Sequence, residues 1–292
     1  MKIVIGIPAF NEEKNIASIL MKLKENYQNI IVCDDGSNDL TAKIAEELGA
    51  IVVRHEKNSG YGAAIKTIFF KAHEIGADVL ITFDADGQHR IEDIENIIQG
   101  IINDEADIVI GSRFLDDKQK MPKYRKVGVK AITKLTNAVS GTDISDSQSG
   151  FRAYNKKILQ NITPAENGMG VSTEILMKSQ KKDFRIKEVP IIIKYEGDTS
   201  THNPVSHGSS VVFSTLQYVA IQRPLTFYGI PGICFLVIGM FFSLWAIQIF
   251  TEHGELITNI ALVGGGSITI GIILMISASI LHSIVRLLKD RN

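Results

Sequence analysis

Cysteine is scarce in this chain: 292 residues carry two, Cys33 and Cys234. Each sits in its own apolar run, with no paired spacing and no zinc pattern around it. A disulfide framework and a thiolate metal site are therefore excluded as organising features, and two packed thiols suit a reducing compartment. An excess of either charge is missing as well. Lys and Arg number 31 against 32 Asp and Glu, a formal net charge of -1. No global basic field points to nucleic acid. Familiar catalytic signatures are also absent. There is no Walker lysine loop, no GxGxxG in the first turn, no HExxH and no GxSxG elbow. P-loop, dinucleotide, zinc-protease and serine-hydrolase readings fall with them. The opening "MKIVIGIPAFNEE" reads as a strand and a loop, without the apolar core and small-residue cleavage site of a signal peptide.

Charge is absent altogether from two long stretches, residues 225–251 and 256–281. Each exceeds the roughly 20 residues an α-helix needs to cross a hydrocarbon core of about 30 Å. The link "TEHGE" between them is so short that it implies an antiparallel hairpin. Arg223 precedes the first stretch and Arg286, Lys289 and Arg291 follow the second, while Glu252 and Glu255 sit in the link. The positive-inside rule then puts both ends in the cytoplasm of a multi-pass cell-membrane protein. The expected division is a soluble domain over 1–205, an interfacial helix or linker over 206–224, a membrane hairpin over 225–285 (helices at about 225–250 and 257–282) and a tail over 286–292.

What is present in the first two thirds is an alternation. "KIVIGI", "NIIVC", "AIVVRH", "DVLITF" and "ADIVIG" are short β-branched runs of the buried-strand type. Between them lie "NEEKNIASILMKLKEN" with Asn11 as the expected N-cap, "TAKIAEELG" closed by Gly49, "YGAAIKTIFFKAHEIG" and "IEDIENIIQGIIND", all of helical pattern. Strands alternating with helices predict an α/β fold with a mostly parallel sheet. Later come the amphipathic "RKVGVKAITKLTNAVSG", with Lys126, Lys130 and Lys134 every fourth residue, a helix in "VSTEILMKSQKKD" and a late strand in "RIKEVPIIIKYE". The lysine row reads either as a solvated face or as a surface for anionic lipid.

Ligands of such sheets bind beyond the carboxyl ends of the strands. The polar clusters fall there: Pro8 to Glu12, Asp34 to Ser37 and Asp84 to His89. In "FDADGQH", Asp84 and Asp86 end an apolar strand, and a carboxylate pair there suits a hard divalent cation that takes its other oxygens from phosphate and water. A second acidic pair, Asp34 and Asp35, ends another strand. Two such loops suit a nucleotide diphosphate, one accepting hydrogen bonds from base or ribose and the other holding the metal.

"IPAFNEE", "CDDGSNDLT", "NSGYGAAI", "FDADGQH", "GSRF" and "SQSGFRAYN" follow one another in this order. Together they resemble the family 2 glycosyltransferases of GT-A fold, in particular the dolichol-phosphate mannose synthase and polyprenyl-phosphate hexosyltransferase group. The resemblance implies a Rossmann-like GT-A domain followed by the two-helix membrane hairpin. It implies inverting, metal-dependent transfer of a hexose from a nucleotide-diphosphate sugar to a polyprenyl or dolichyl phosphate, with Mg²⁺ or Mn²⁺ as cofactor and the bilayer as partner. UDP-glucose, UDP-N-acetylglucosamine and GDP-mannose are the candidate donors, and self-association is left open. It further implies that Pro8, Ala9, Asn11, Glu12, Asp34, Asp35, Asp84 and Ala85 line the nucleotide pocket. Asp86 and Gln88, with Asp84, would hold the metal. Arg113 and Arg125 would meet the acceptor phosphate, Gln148 and Arg152 would border sugar and diphosphate, and Glu174 would meet the sugar hydroxyls.

Two positions depart from the mannose synthases. Val129 stands where they carry serine, and "KYEGDTSTHNPVSHG" replaces an arginine-rich loop, which is closer to relatives using uridine-diphosphate sugars. Two rival readings remain. A family 2 transferase acting on a sugar hydroxyl would more often carry Glu-Asp and QxxRW stretches, and no QxxRW occurs here. A membrane-anchored, non-catalytic nucleotide-sugar-binding protein would be expected to have lost the acids that Asp84 and Asp86 retain.

Overall fold

The computed structural model describes residues 1–116, 123–193, 220–221, 224–255 and 257–289. The chain divides into two compact units, Met1–Thr215 and Leu216–Asn292. The first contains strands β1 (Ile3–Ala9), β2 (Asn29–Asp34), β3 (Ile51–Arg54), β4 (Val79–Thr82), β5 (Ile108–Ser112), β6 (Arg152–Asn155) and β7 (Ile186–Pro190). Its helices are α1 (Glu13–Lys24), α2 (Thr41–Glu47), α3 (Tyr61–Glu74), α4 (Asp93–Ile102), α5 (Lys123–Ser140), α6 (Lys156–Asn161) and α7 (Val171–Gln180).

The strands form one seven-stranded sheet in the order β3-β2-β1-β4-β6-β5-β7. All pairings are parallel except those of β6, which runs antiparallel to both β4 and β5. The chain winds outward from β1 to β3, then returns to place β4 on the other side of β1. That reversal leaves a crevice at the carboxyl ends of β1 and β4, the usual ligand position of an open α/β sheet. Because β6 is reversed, its amino end lies at the same edge, so the "SQSG" segment before it joins the crevice.

Side-chain alternation along the strands builds two core layers. Ile5, Ile7, Ile30, Val32, Val79 and Ile81 pack with Ile16, Leu20 and Leu23 of α1 and Ile94 and Ile97 of α4. Val4, Ile31, Leu80, Ile108 and Ile110 pack on the other face with Ile65, Ile68 and Phe69 of α3 and Ile175 and Leu176 of α7. The buried set of α1 is Ile16, Ile19, Leu20 and Leu23, the one-face spacing that makes it a helix on a sheet. Fully burying each such side chain contributes about 1.5–3 kcal/mol.

Two expectations change here. Asn11 is not the cap of α1. It adopts a left-handed φ of 56, and its Oδ1 accepts from the Asn38 amide at 2.9 Å. Glu12 precedes the helix instead, without a side-chain cap bond. The entry to α1 is fixed against the segment after β2, where the Asn11 and Glu12 amides donate to Ser37 Oγ and Thr41 Oγ1, each at 2.8 Å. In α5, Ile132 is buried and Val127 is 69% exposed.

In the second unit a π-helical turn, Leu225–Gly229, runs into α8 (Ile230–His253), and α9 (Thr258–Lys289) returns antiparallel to it. Gly254, at φ 70, ends α8, its amide donating to Phe250 O at 2.9 Å. The spans Leu225–His253 and Thr258–Leu287, of mean hydropathy 2.3 and 2.2, are long and apolar enough to cross a membrane. Their contact runs along small residues spaced seven apart: Gly232, Gly239 and Ala246 on α8, and Gly264, Gly271 and Ala278 on α9, all buried. A Cβ on Gly239 would lie 2.7 Å from Ile268 N and 2.9 Å from Gly264 O, so the backbones meet where side chains are missing. Small residues at such a seam let two helix backbones pack this closely. The expected interfacial helix falls almost wholly outside the described residues, and "KYEGDTSTHNPVSHG" lies entirely outside them.

Candidate active site

Asp84, one residue past Phe83 at the end of β4, is the hub of the carboxyl edge. Its Oδ1 accepts from the Tyr61 hydroxyl at 3.2 Å and its Oδ2 pairs with His89 Nε2 at 3.0 Å. Gly150, ahead of β6, closes over it: a Cβ there would lie 2.6 Å from Tyr61 Oη and 2.8 Å from Asp84 Oδ2. Only glycine lets the backbone approach so near. Burial works against the Asp84 charge, but hydrogen bonding and charge from His89, the Tyr61 hydroxyl and the Arg113 charge outweigh it and hold the carboxyl below its ordinary range. His89 stacks against Phe83 and Phe151, with ring centroids 5.6 and 4.9 Å away.

Asp86 accepts the Gln88 amide at 3.0 Å, a turn that folds "DGQ" back on itself. Gln88 is buried and Asp84 and Asp86 are partly exposed. Glu12, at the β1 end, feels both acids. Its carboxyl is pushed up by burial first, and by the Asp86, Asp39 and Asp84 charges against a lowering bond from Asn15. Among the described residues no three His, Cys, Asp or Glu side chains form a metal cage. Crowded acids at an open edge, short of a closed cage, fit a divalent cation that takes its remaining oxygens from a diphosphate and water. Asp84, Asp86 and Gln88 are the residues that would hold it.

The second acidic pair turns inward. Asp34, fully buried, faces Arg54 Nε at 3.0 Å and accepts the Ser37 amide at 3.2 Å. Asp35 is spent on the chain itself. Its Oδ1 accepts the Ser59 amide at 2.9 Å and pairs with His55 Nδ1 at 2.6 Å, and its Oδ2 accepts the Gly60 amide at 2.8 Å. It therefore fixes the "NSGYG" loop that presents Tyr61 to Asp84. Pro8 and Ala9 end β1 beside it, and Ala85 is buried between the two acids of "DAD".

Arg113, just past β5, grips buried Asp146 with two parallel bonds, Nε to Oδ2 at 2.6 Å and Nη2 to Oδ1 at 2.8 Å. Asp146 is oriented in turn, since its own amide donates to Glu188 Oε1 at 2.9 Å. Gln148 lies beside this pair, its amide reaching Asp146 Oδ1 at 3.3 Å. Arg125 lies in the first turn of α5, and its side chain falls outside the described residues.

Two expected sugar contacts lie in the interior instead. Arg152 is 1% exposed and donates to the Ser149, Ser172 and Ser147 carbonyls at 2.8, 3.1 and 2.6 Å. Its fork knots the "SQSG" segment to the start of α7. Glu174 is 1% exposed. Its carboxylate takes the Ala165 and Glu166 amides at 3.0 and 2.9 Å and the Lys178 ammonium at 2.7 Å. Buried charges need such partners, and these partners leave neither side chain at the edge. Tyr61, Asp146 and Glu188 are the residues that sequence reading missed. The signal for Asp146 was legible, an acid two places before Gln148. Tyr61 and Glu188 gave none, because their partners are distant in sequence.

The model of the family described as "Glycosyl transferase family 2" matches residues 4–163. A UDP-N-acetylglucosamine–dolichyl-phosphate N-acetylglucosaminyltransferase of Methanococcus voltae is 38% identical over 232 residues, 72% of this chain and 90% of that protein. A dolichyl-phosphate hexose transferase of Haloferax volcanii is 30% identical over 225 residues, 76% of this chain and 95% of that one. Among solved structures, glucosyl-3-phosphoglycerate synthase of Mycobacterium tuberculosis, in complex with Mn²⁺, uridine diphosphate and phosphoglyceric acid, superposes with a TM-score of 0.58. It is 19% identical and covers 75% of this chain and 78% of that one, a likeness of fold. With the ordered motifs gathered at one sheet edge and a family match across that sheet, the chain belongs to glycosyl transferase family 2 and is a glycosyltransferase.

Proposed function

We propose that the protein transfers N-acetylglucosamine from UDP-N-acetylglucosamine to a dolichyl-type polyprenyl phosphate, with inversion at the anomeric carbon. The observation that carries this reading is the 38% identity to the Methanococcus voltae enzyme over 90% of its length. The match extends past the donor motifs, and donor and acceptor in that protein's name are both consistent with the site. The two apolar spans support an acceptor that lives in a bilayer. The catalytic unit and both ends then face the cytoplasm, in line with Arg286 and Lys289 at the carboxyl end of the second apolar helix and Glu252 and Glu255 at the turn between the two.

The chemistry asks little of a base. A lipid phosphate is already ionised at neutral pH, unlike a sugar hydroxyl. What is needed is alignment of one phosphate oxygen with the anomeric carbon and relief of repulsion between two phosphate groups. Arg113, held in a fixed pose by Asp146, supplies positive charge for the acceptor phosphate. Pro8, Ala9, Asn11, Glu12 and Ala85 border the nucleotide, while buried Asp34 acts through Arg54 and the Ser37 turn and Asp35 through the "NSGYG" loop. Gln148 sits between the arginine and the diphosphate. When bound at Asp84, Asp86 and Gln88, Mg²⁺ or Mn²⁺ neutralises the diphosphate and stabilises it as a leaving group. One displacement, with the C–O bond to diphosphate breaking as the bond to the acceptor oxygen forms, inverts the centre.

Titration calorimetry with Mn²⁺ present tests the donor half. UDP is expected to bind at least tenfold more tightly than GDP. Equal affinity for the two would overturn the uridine assignment.

A further inference from the structure

Tyr61 opens α3 and turns its hydroxyl to Asp84 Oδ1 at 3.2 Å. Packing alone would be met by phenylalanine, which fills the same space and brings no hydroxyl out of water. Asp84 does not depend on the bond for solvation either, because its side chain keeps 27% exposure. What the hydroxyl governs is the direction in which the carboxylate points.

That direction is set from two sides, by Tyr61 on Oδ1 and by His89 Nε2 on Oδ2 at 3.0 Å. His89 is itself wedged against the Phe83 and Phe151 rings. An ionised carboxylate offers about four acceptor positions. Each oxygen of Asp84 therefore keeps capacity for a further ligand while its orientation is fixed. Gly150 closes the space next to the pair, since a Cβ there would meet both Tyr61 Oη and Asp84 Oδ2.

Tyr61 in turn takes its pose from the backbone around it. Asp35 accepts the amides of the two preceding residues, Ser59 and Gly60, at 2.9 and 2.8 Å. Gly60 has a φ of 101, a conformation open to glycine. A Cβ on Gly60 would strike Asn167 O, and one on Gly62 would strike Glu166 O. The Ala63 amide donates to Asn167 O at 3.2 Å. The start of α3 is thus seated directly on the 166–168 backbone, and the ring it carries is aimed at Asp84.

We propose that Tyr61 is a positioning residue for the divalent cation, its hydroxyl holding the Asp84 carboxylate in the orientation that receives the ion. The assignment of the ion to Asp84, Asp86 and Gln88 rests on the function proposed above. A ligand already turned toward its partner gives up less freedom on binding than one that must be ordered at that moment. Groups standing behind metal ligands commonly carry about 10–100-fold in affinity.

The full chain is titrated with Mn²⁺ at saturating UDP, with the free ion read by electron paramagnetic resonance. Tyr61→Phe is expected to bind Mn²⁺ about tenfold more weakly than wild type. Its UDP affinity and its melting curve, both measured in chelator, are expected to match wild type. Asp86→Ala marks the loss of the ion itself. Transfer by Tyr61→Phe is expected to regain the wild-type kcat once Mn²⁺ is raised to saturation, a rescue that damage to the fold would not permit. Wild-type Mn²⁺ affinity in Tyr61→Phe, with the ion lost from Asp86→Ala, overturns the proposal and leaves the metal site standing. Wild-type affinity in both variants, or no Mn²⁺ bound by the wild type, overturns the two together. A weakened affinity that excess Mn²⁺ does not rescue also overturns it, by placing the hydroxyl in the chemical step. Should Tyr61→Phe fail to fold, a ring-fluorinated tyrosine at position 61 keeps the hydroxyl and reports on it. Its fluorine resonance is expected to move when Mg²⁺ joins UDP, beyond any change caused by UDP in chelator, and an unmoved resonance contradicts the proposal.

Discussion

Arg113 and Asp146 meet fork to fork, Nε and Nη2 of one against both carboxylate oxygens of the other, at 2.6 and 2.8 Å. Asp146 is fully buried and the Arg113 side chain is 12% exposed, so the arginine cannot swing and its pose is set before any acceptor arrives. Glu188 extends the relay, accepting the Ser145 and Asp146 amides from its place on β7.

Substituting Arg113 by Lys keeps the charge and removes the fork. Acceptor kcat/KM is expected to fall about 100-fold with donor affinity unchanged, since a lysine, a point charge, cannot keep the two-point bond to Asp146 that sets the pose of the cation. Steady-state kinetics with acceptor varied at saturating donor reads this. Asp146→Ala breaks the buried pair from the other side and is expected to cost about 3–5 kcal/mol of stability, read by denaturant unfolding.

Asp86→Ala is expected to abolish metal-dependent turnover, by at least about 100-fold, with an unchanged melting curve in chelator. Wild-type protein is expected to gain melting temperature on adding Mn²⁺ with UDP, because a ligand of the folded state alone stabilises it. The variant loses that gain. Retained activity and a retained gain in Asp86→Ala would remove the acid from the metal site.

Glu174→Gln tests whether that acid holds the protein or the sugar. The carboxylate is buried under two backbone amides and Lys178. The expected outcome is a loss of about 1–3 kcal/mol with donor preference intact. A change of donor preference at full stability would restore the sugar contact the motif implied.

Asp107 sets an acid limit. Burial opposes its charge, but the bonds from Arg185 and Asn155 prevail and hold its carboxyl below the ordinary value of 3.8. A depressed carboxylate stabilises above its unfolded value and loses that contribution as pH falls through the folded one. Stability is therefore expected to drop below about pH 4. Asp107→Asn is expected to flatten that limb, as read by urea unfolding across pH.

The parallel strands were legible because β-branched runs ended by polar loops admit few other folds, and with them came the edge where "FDADGQH" sits. The two membrane-type spans were legible from missing charge alone. Strand β6 was not: "RAYN" is four residues long, and its place depends on pairing with β4 and β5, far away in sequence. Because that strand was missed, so was the reason "SQSG" reaches Asp84. Asp35, Arg152 and Glu174 were identified by their motifs, but a motif does not tell which way a buried charge turns. Each satisfies itself on nearby backbone, as a desolvated charge must, and each shapes the site through a loop.

The most direct measurement supplies purified, reconstituted protein with Mn²⁺, polyprenyl phosphate and, in separate reactions, labelled UDP-N-acetylglucosamine, UDP-glucose and GDP-mannose. N-acetylglucosamine is expected to enter the lipid phase, with NMR showing a β-linked phosphate from the α-linked donor. Transfer from none of the three donors would contradict the proposed function. Transfer from GDP-mannose alone would contradict the choice of donor.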